Sequence, residues 1–333
     1  LRDFFIFSLM RKFLLFLGVI AGLTVFGCQG TAQTASPEKQ TETEDTTEDP
    51  VESLLRYLAS DELRGRETGT EGINLAASRI ETIFQDHNVQ PYYESYRDTF
   101  QVEDRIAYNV VGFVEGSDPV LKDEIIIIGA HYDHIGEGKE VNGDIIANGA
   151  NDNAAGTVAV VELAKHFAEI RDNKRSLMFM LFSAEEKGLQ GSKYAAEKLK
   201  KDGINPYTVL TFEMIGVPME DKDYLAYLTG YETSNLAEKF NEYSEEEVLG
   251  YLPQAEEYRL FQRSDNFPFY KEFKIPAQTI STFDFTNYEY YHHVSDEAGN
   301  LDFVHMKDLI DKVKPGIYKM ANTQEKEIKL NKE

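Results

Sequence analysis

Five runs of strand length constrain this chain more than anything else in it: 108–114 (YNVVGFV), 124–130 (EIIIIGA), 176–182 (SLMFMLF), 208–214 (TVLTFEM) and 278–283 (QTISTF). Near-continuous apolar runs, as in the first three, suit strands covered on both faces; 208–214 and 278–283 are of mixed polarity but of strand length. Between them lie segments of helical spacing. Residues 51–59 carry it. So do 73–87, where Ile73, Ala76, Ala77, Ile80, Ile83 and Phe84 share one face. Residues 156–168 place Val160, Val161, Ala164, Phe167 and Ala168 on one side, and 191–201 continue the pattern. A polar loop (RGRETG, 64–69) separates the first two helices. Strands alternating with helices predict an α/β domain: a mixed, mainly parallel central sheet with helices on both faces. No repeat and no Pro/Gly/Ser-rich boundary divides 51–333, so one domain is expected there.

The amino end reads differently. Met10-Arg11-Lys12 precedes an apolar run at 13–26 (FLLFLGVIAGLTVF), the pattern of a secretory signal peptide and too short to span a bilayer comfortably. Residues 1–9 read as an upstream extension. Val25-Phe26-Gly27-Cys28 resembles a bacterial lipobox, whose cysteine would be lipidated and become the mature N terminus. Residues 1–28 are therefore expected to be a lipoprotein-type signal peptide. Residues 29–50, rich in Thr, Glu, Asp and Gln, are expected to be a disordered acidic linker. The expected location is the bacterial cell envelope, lipid-anchored on a periplasmic or extracellular face, with the membrane engaged only through that anchor. Cys28 is the only cysteine, so neither an intramolecular disulfide nor a Cys-based zinc site is available. With 58 acidic and 34 basic residues the formal charge is −24, which repels phosphate backbones and argues against nucleic acid as a partner.

Polar residues follow the buried runs at their carboxyl ends, where open α/β sheets bind ligands. These are His131-Tyr132-Asp133, Ser183-Ala184-Glu185-Glu186, Glu213, and Asp284 with Tyr291-His292-His293; Asn151-Asp152-Asn153 stands just before a helix. Each alone has an ordinary reading, such as a surface loop, a solvated acidic pair, or Asp152 as a helix cap. Together, imidazoles and carboxylates without thiolate suit Zn²⁺ in a hydrolytic site. Carboxylates and histidines in this number can serve two metals sharing one bridge, with a further carboxylate as base.

The segments AHYDHIG (130–136), NGANDNAAGT (148–157), FSAEEKGLQGSKY (182–194), FEMIG (212–216), RSDNFPF (263–269) and YHHVSDE (291–297), with GRETGTEG (65–72) ahead of them, resemble peptidase family M28 over residues 51–310. The resemblance implies a zinc-dependent exopeptidase fold, two Zn²⁺ per chain, peptide substrates and release of N-terminal residues. By motif, His131 would bind the first zinc and Asp133 would orient it. Asp152 would bridge both metals. Glu185 would be the general base, Glu186 and His292 would hold the second zinc, Glu213 would complete the first, and Tyr291 would donate to the oxyanion. Asn151 stands where many members have Asp. Glu213 stands where aminopeptidases of the family usually carry Asp and related carboxypeptidases Glu. The ending Tyr-His-x-x-x-Asp matches Tyr291, His292 and Asp296, which favours His292 over His293.

Two other readings share these features: a single-zinc glutaminyl cyclase-like enzyme, and a non-catalytic binding ectodomain. The full ligand set argues for two metals, and the retained base for catalysis. Acidic strand ends suit a free α-ammonium. Arg263 is the nearest cation for a terminal carboxylate, since Lys187 sits where aminopeptidases of the family also carry a basic residue. Phe261, Phe267, Phe269, Phe283 and Phe285 are expected either to wall an apolar pocket or to be ordinary core.

Overall fold

Helix α1 (Pro50–Leu58) begins one residue earlier than the sequence pattern suggests, because Asp49 caps it: its Oδ1 accepts from the backbone N–H of Val51 (3.0 Å) and Glu52 (3.3 Å). Asp49 also pairs with Lys307 (2.8 Å), so the end of the expected linker belongs to the folded unit. The computed structural model describes residues 49–332, Asn205 excepted. The signal peptide, Cys28 and the linker to residue 48 lie outside the described residues.

The remaining helices are α2 (Glu71–Asp86), α3 (Gly156–Ile170), α4 (Gln190–Lys201), α5 (Leu236–Ser244), α6 (Pro253–Glu257), α7 (Asn266–Phe273) and α8 (Phe303–Asn322). The strands are β1 (Gln90–Pro91), β2 (Arg97–Val102), β3 (Arg105–Val114), β4 (Ile126–His131), β5 (Gly136–Val141), β6 (Asp144–Ala147), β7 (Leu177–Phe182), β8 (Thr208–Glu213), β9 (Ala226–Leu228), β10 (Leu249–Gly250) and β11 (Ala277–Ser281). One nine-stranded sheet runs β1-β3-β7-β4-β8-β11-β9-β10, with β2 also paired to β3; β5 and β6 form a separate hairpin. The sheet is mixed. Strands β7, β4, β8 and β11 are parallel neighbours, and antiparallel pairing begins at β3 on one side and β9 on the other.

The apolar runs do what continuous hydrophobicity requires: successive side chains enter opposite cores. In β7, Leu177, Phe179 and Leu181 pack with α1, α2, α3 and α8, while Met178, Met180 and Phe182 pack with α4 and α7. Each such side chain withdrawn from water contributes roughly 1.5–3 kcal/mol. Among the described residues no helix is long and apolar enough to cross a membrane.

Connectivity places the site. The chain leaves β4 through α3 to β7 on one side, then returns through α4 to β8 on the other side of β4. Helices α3 and α4 lie on opposite faces, so a crevice opens where β4 and β8 end.

Candidate metal centre

His131 is the last residue of β4 and Glu213 the last of β8, so both project from the carboxyl edge into that crevice. The loop ahead of α3 brings Asp152 between them. His131 Nε2 lies 3.0 Å from Glu213 Oε1 and 3.3 Å from Asp152 Oδ1. On the other oxygen of Asp152, Oδ2, His292 Nε2 stands at 3.3 Å, and it also stands 3.1 Å from Glu186 Oε2. His293 turns away: its Nδ1 accepts from the Ser295 N–H, and its ring lies against Tyr290. The five residues assigned to metal from sequence therefore converge, and Asp152 faces both donor sets.

One member of the cluster was missed. His134 is buried, with Nδ1 3.0 Å from Glu186 Oε1 and 3.8 Å from Asp152 Oδ2. The signal for it was the second imidazole in His131-Tyr132-Asp133-His134. The donor atoms of His131, Asp152 and Glu213 lie within 4.8 Å of one another, and so do those of His134, Asp152 and Glu186.

The surroundings fix these groups. Asp133 is fully buried; its carboxylate accepts from Thr68 Oγ1 (3.1 Å) and from the Glu185 N–H (3.1 Å). Its relation to His131 differs from the expected one. The ring Nδ1 meets the Asp133 carbonyl oxygen at 3.1 Å, with the carboxylate at 3.7 Å. Asp296 accepts the N–H groups of Asn151 (2.7 Å) and Asp152 (3.0 Å) and a hydroxyl from Tyr288 (2.6 Å). Asp152 does not cap α3, whose N-cap position is Ala155; the N–H of its first residue, Gly156, is held by Asn153 Oδ1, and the Asn153 amide donates to the Phe212 carbonyl. Asn151 uses its side-chain oxygen to hold the Gly216 N–H (2.8 Å). Arg66, the buried end of the GRETG loop, donates to the carbonyls of Tyr132 (2.9 Å), Asn148 (2.6 Å), Gly149 (2.9 Å) and Leu58.

The donor set fits a cation. Burial would push His131 toward its neutral form, yet Glu213 and Glu185 overcome that and hold it well above the ordinary imidazole range. Hydrogen bonds to Asp152 and Glu186 push His292 up to about 10. Asp152 is held far below the usual carboxylate range, against burial, by His131 and His292. The carboxylates thus draw positive charge onto the histidines. Divalent ions bound by neutral imidazole and carboxylate would satisfy the same demand, and without thiolate the set suits zinc.

Glu185 is half-buried between Glu186 and the cleft. Burial first, then Glu213, Asp265 and Glu186, raise it well above the usual carboxylate range, with His131 opposing. Tyr291 stacks on His292 (ring centroids 4.0 Å apart) and on Phe283 (5.6 Å). The adjoining cleft is lined by Phe283, Phe285, Tyr227, Thr229, Ser281 and Arg263, together with Asp152, Glu185 and Glu213. Of the five phenylalanines proposed for its wall, only Phe283 and Phe285 reach it. Phe269 is core against Phe182, and Phe261 and Phe267 cluster with Tyr270. Lys187 is tied to Glu67 (2.9 Å).

Imidazole–carboxylate clusters gathered at the carboxyl edge of a mixed α/β sheet are the architecture of a metal-dependent hydrolase. The chain belongs to peptidase family M28, whose sequence profile matches residues 109–314. It is 26% identical over 260 residues to a probable leucine aminopeptidase of Arthroderma otae, covering 75% of this chain and 64% of that protein. The chain thus spans just under two thirds of the length of that relative. In fold it is similar to a zinc aminopeptidase from Bacillus subtilis (TM-score 0.64, 14% identity, 83% of this chain and 95% of that one). It is also similar to Porphyromonas gingivalis glutaminyl cyclase (TM-score 0.60, 14% identity, 81% and 95%).

Proposed function

We propose that the protein is a di-zinc exopeptidase that releases N-terminal residues from peptides. The observation that carries this reading is the shared carboxylate. Asp152 turns one oxygen to His131 and the other to His292, each at 3.3 Å, so two ions would meet at one bridge. Zinc bound there would supply Lewis acidity toward the scissile carbonyl and an acidified water. The remaining work falls to the chain. Glu185 takes a proton as the water oxygen adds to the carbonyl carbon. It returns that proton to the amine nitrogen as the C–N bond breaks. Its raised proton affinity suits a group that must both accept and give one. Tyr291, stacked on His292 and Phe283, would donate a hydrogen bond from its hydroxyl to the carbonyl oxygen as charge develops there. Asp133 and Thr68 set the loop that presents His131.

The acidic lining suits an α-ammonium, whereas Arg263 at the cleft would serve a terminal carboxylate. Cleavage of unblocked peptides from the amino end, stopped by N-acetylation, is the expected result. Release of C-terminal residues from N-acetylated peptides would overturn the aminopeptidase reading and leave a di-zinc hydrolase. The relatives named aminopeptidases support the first outcome. The fold shared with a glutaminyl cyclase keeps a single-zinc cyclase as the second reading. Zinc per chain by mass spectrometry separates them, at two against one. The lipid anchor at Cys28 belongs to the same proposal, with incorporation of labelled fatty acid, lost in Cys28→Ala, as its test.

A further inference from the structure

We propose that His134 is a positioning residue for the second zinc: its Nδ1–H donates to Oε1 of Glu186 and so reserves Oε2 for the ion. The inference rests on the two-zinc reading above. Glu186 divides its oxygens. Oε2 faces His292 Nε2 at 3.1 Å, on the side where Asp152 Oδ2 stands 3.3 Å from the same nitrogen, while Oε1 faces His134 Nδ1 at 3.0 Å. His292 Nε2 thus stands between Asp152 Oδ2 and Glu186 Oε2, while His134 Nδ1, 3.8 Å from Asp152 Oδ2, makes its near contact with Glu186 Oε1.

The tautomer follows from the other ring nitrogen. His134 Nε2 is buried and has no hydrogen-bond partner among the described residues. If Nδ1 bound the ion directly, the ring proton would sit on Nε2, a buried donor with no acceptor, which is the costlier arrangement. With the proton on Nδ1, that donor is satisfied by a carboxylate. Histidines that ligate zinc normally donate their second nitrogen to a partner. His131 has one, the Asp133 carbonyl at 3.1 Å; His134 does not.

The pocket for this ring is built into the chain. Gly149 sits in the left-handed region (φ 59°), and a Cβ there would come within 2.5 Å of His134 Cγ and 2.6 Å of Cδ2. Arg66 ties the carbonyls of Asn148 and Gly149, beside this ring, to that of Tyr132, two residues before it in the chain. An imidazole so confined fixes the Glu186 carboxylate before any ion arrives.

The experiment is a zinc titration of the chelator-stripped protein, read as two affinities by competition with a chromogenic chelator. His134→Leu should weaken the second zinc about 10–100-fold and leave the first unchanged, which also reports an intact fold. His134→Asn carries an amide nitrogen on the same Cγ position as Nδ1 and should restore the second affinity to within a few-fold. Wild-type second-site affinity in His134→Leu would overturn the proposal. So would a His134→Asn protein as weak as His134→Leu, because that result makes the imidazole a direct ligand. A wild-type protein with only one zinc step would overturn the two-zinc reading itself, and this inference with it.

Discussion

A carboxylate that moves a proton and one that holds a cation need opposite surroundings, and Glu185 and Glu186, the proposed base and the proposed ligand, have opposite surroundings. Burial and the neighbouring Glu213 and Asp265 raise Glu185, whereas His134 and His292 pull Glu186 down against burial and Asp152. Glu185→Gln should therefore cut turnover at least 10²–10⁴-fold with zinc content unchanged, measured by initial rates and metal analysis. Asp265 is the odd member of the site. It is buried, neither oxygen has a hydrogen bond of good geometry among the described residues, and burial with Glu213 and Asp133 pushes it up to about 7 against His131 and the neighbouring Ser192 hydroxyl. An unfolded Asp ionises near 3.9. The folded state keeps its proton longer, so the penalty is absent below that value and grows as pH rises to about 7. Asp265→Asn should stabilise the metal-free protein at pH 8, by at most about 4 kcal/mol, with the gain vanishing toward pH 4. Urea melts at the two pH values check this. Sequence order made His131, Asp152 and Glu186 legible. It could not reveal Asp265 as an unpaired acid or His134 as a partner of Glu186, because both roles arise from contacts between distant segments.

Elements were legible where the hydrophobic pattern was long. Strands β4, up to its terminal His131, and β7 are apolar because both faces are covered, and that reads directly. Strands β9 and β10, three and two residues long, leave no period to detect. They exist because β11 offers an edge to β9, and β9 one to β10. Helix α8 carries Met306, Leu309, Ile310, Val313, Ile317 and Met320 at helical spacing, a signal masked by Pro315 inside it. Its packing against α5 depends on Gly316, where a Cβ would lie 2.5 Å from Phe240 Cζ and 2.6 Å from Cε1. Alanine improves helix propensity by about 1 kcal/mol, but overpacking a buried ring costs about 1–3 kcal/mol. Gly316→Ala should therefore lower stability on balance in chemical denaturation, and adding Phe240→Leu should recover part of the loss. A Gly316→Ala protein more stable than wild type would contradict the close packing of these helices.

For the molecule as a whole, protons and zinc compete for the same imidazoles. His292 is held at about 10, so its stabilising effect in the metal-free fold is complete below about 6.5, the ordinary imidazole value, and is lost as pH climbs through about 10. Asp265 works in the same direction over its lower window. Asp152 and Glu186, held low, contribute above the usual carboxylate range and lose that contribution only as pH falls through their lowered values. In chelator the melting temperature should fall from about pH 6 to 9, and added zinc should raise it most at the upper end, as scanning calorimetry would show. The hold of Asp296 on Asn151 and Asp152 adds a temporal consequence, because 144 residues separate Asp296 from Asp152. A nascent chain that has emerged only through α7 already owns His131, Asp152 and Glu213, yet lacks the carboxylate that fixes the Asp152 backbone. Firm zinc capture during synthesis must then wait for the final loop. A protease that severs the chain between β8 and Tyr288, with the pieces parting, would disable both halves of the centre at one stroke.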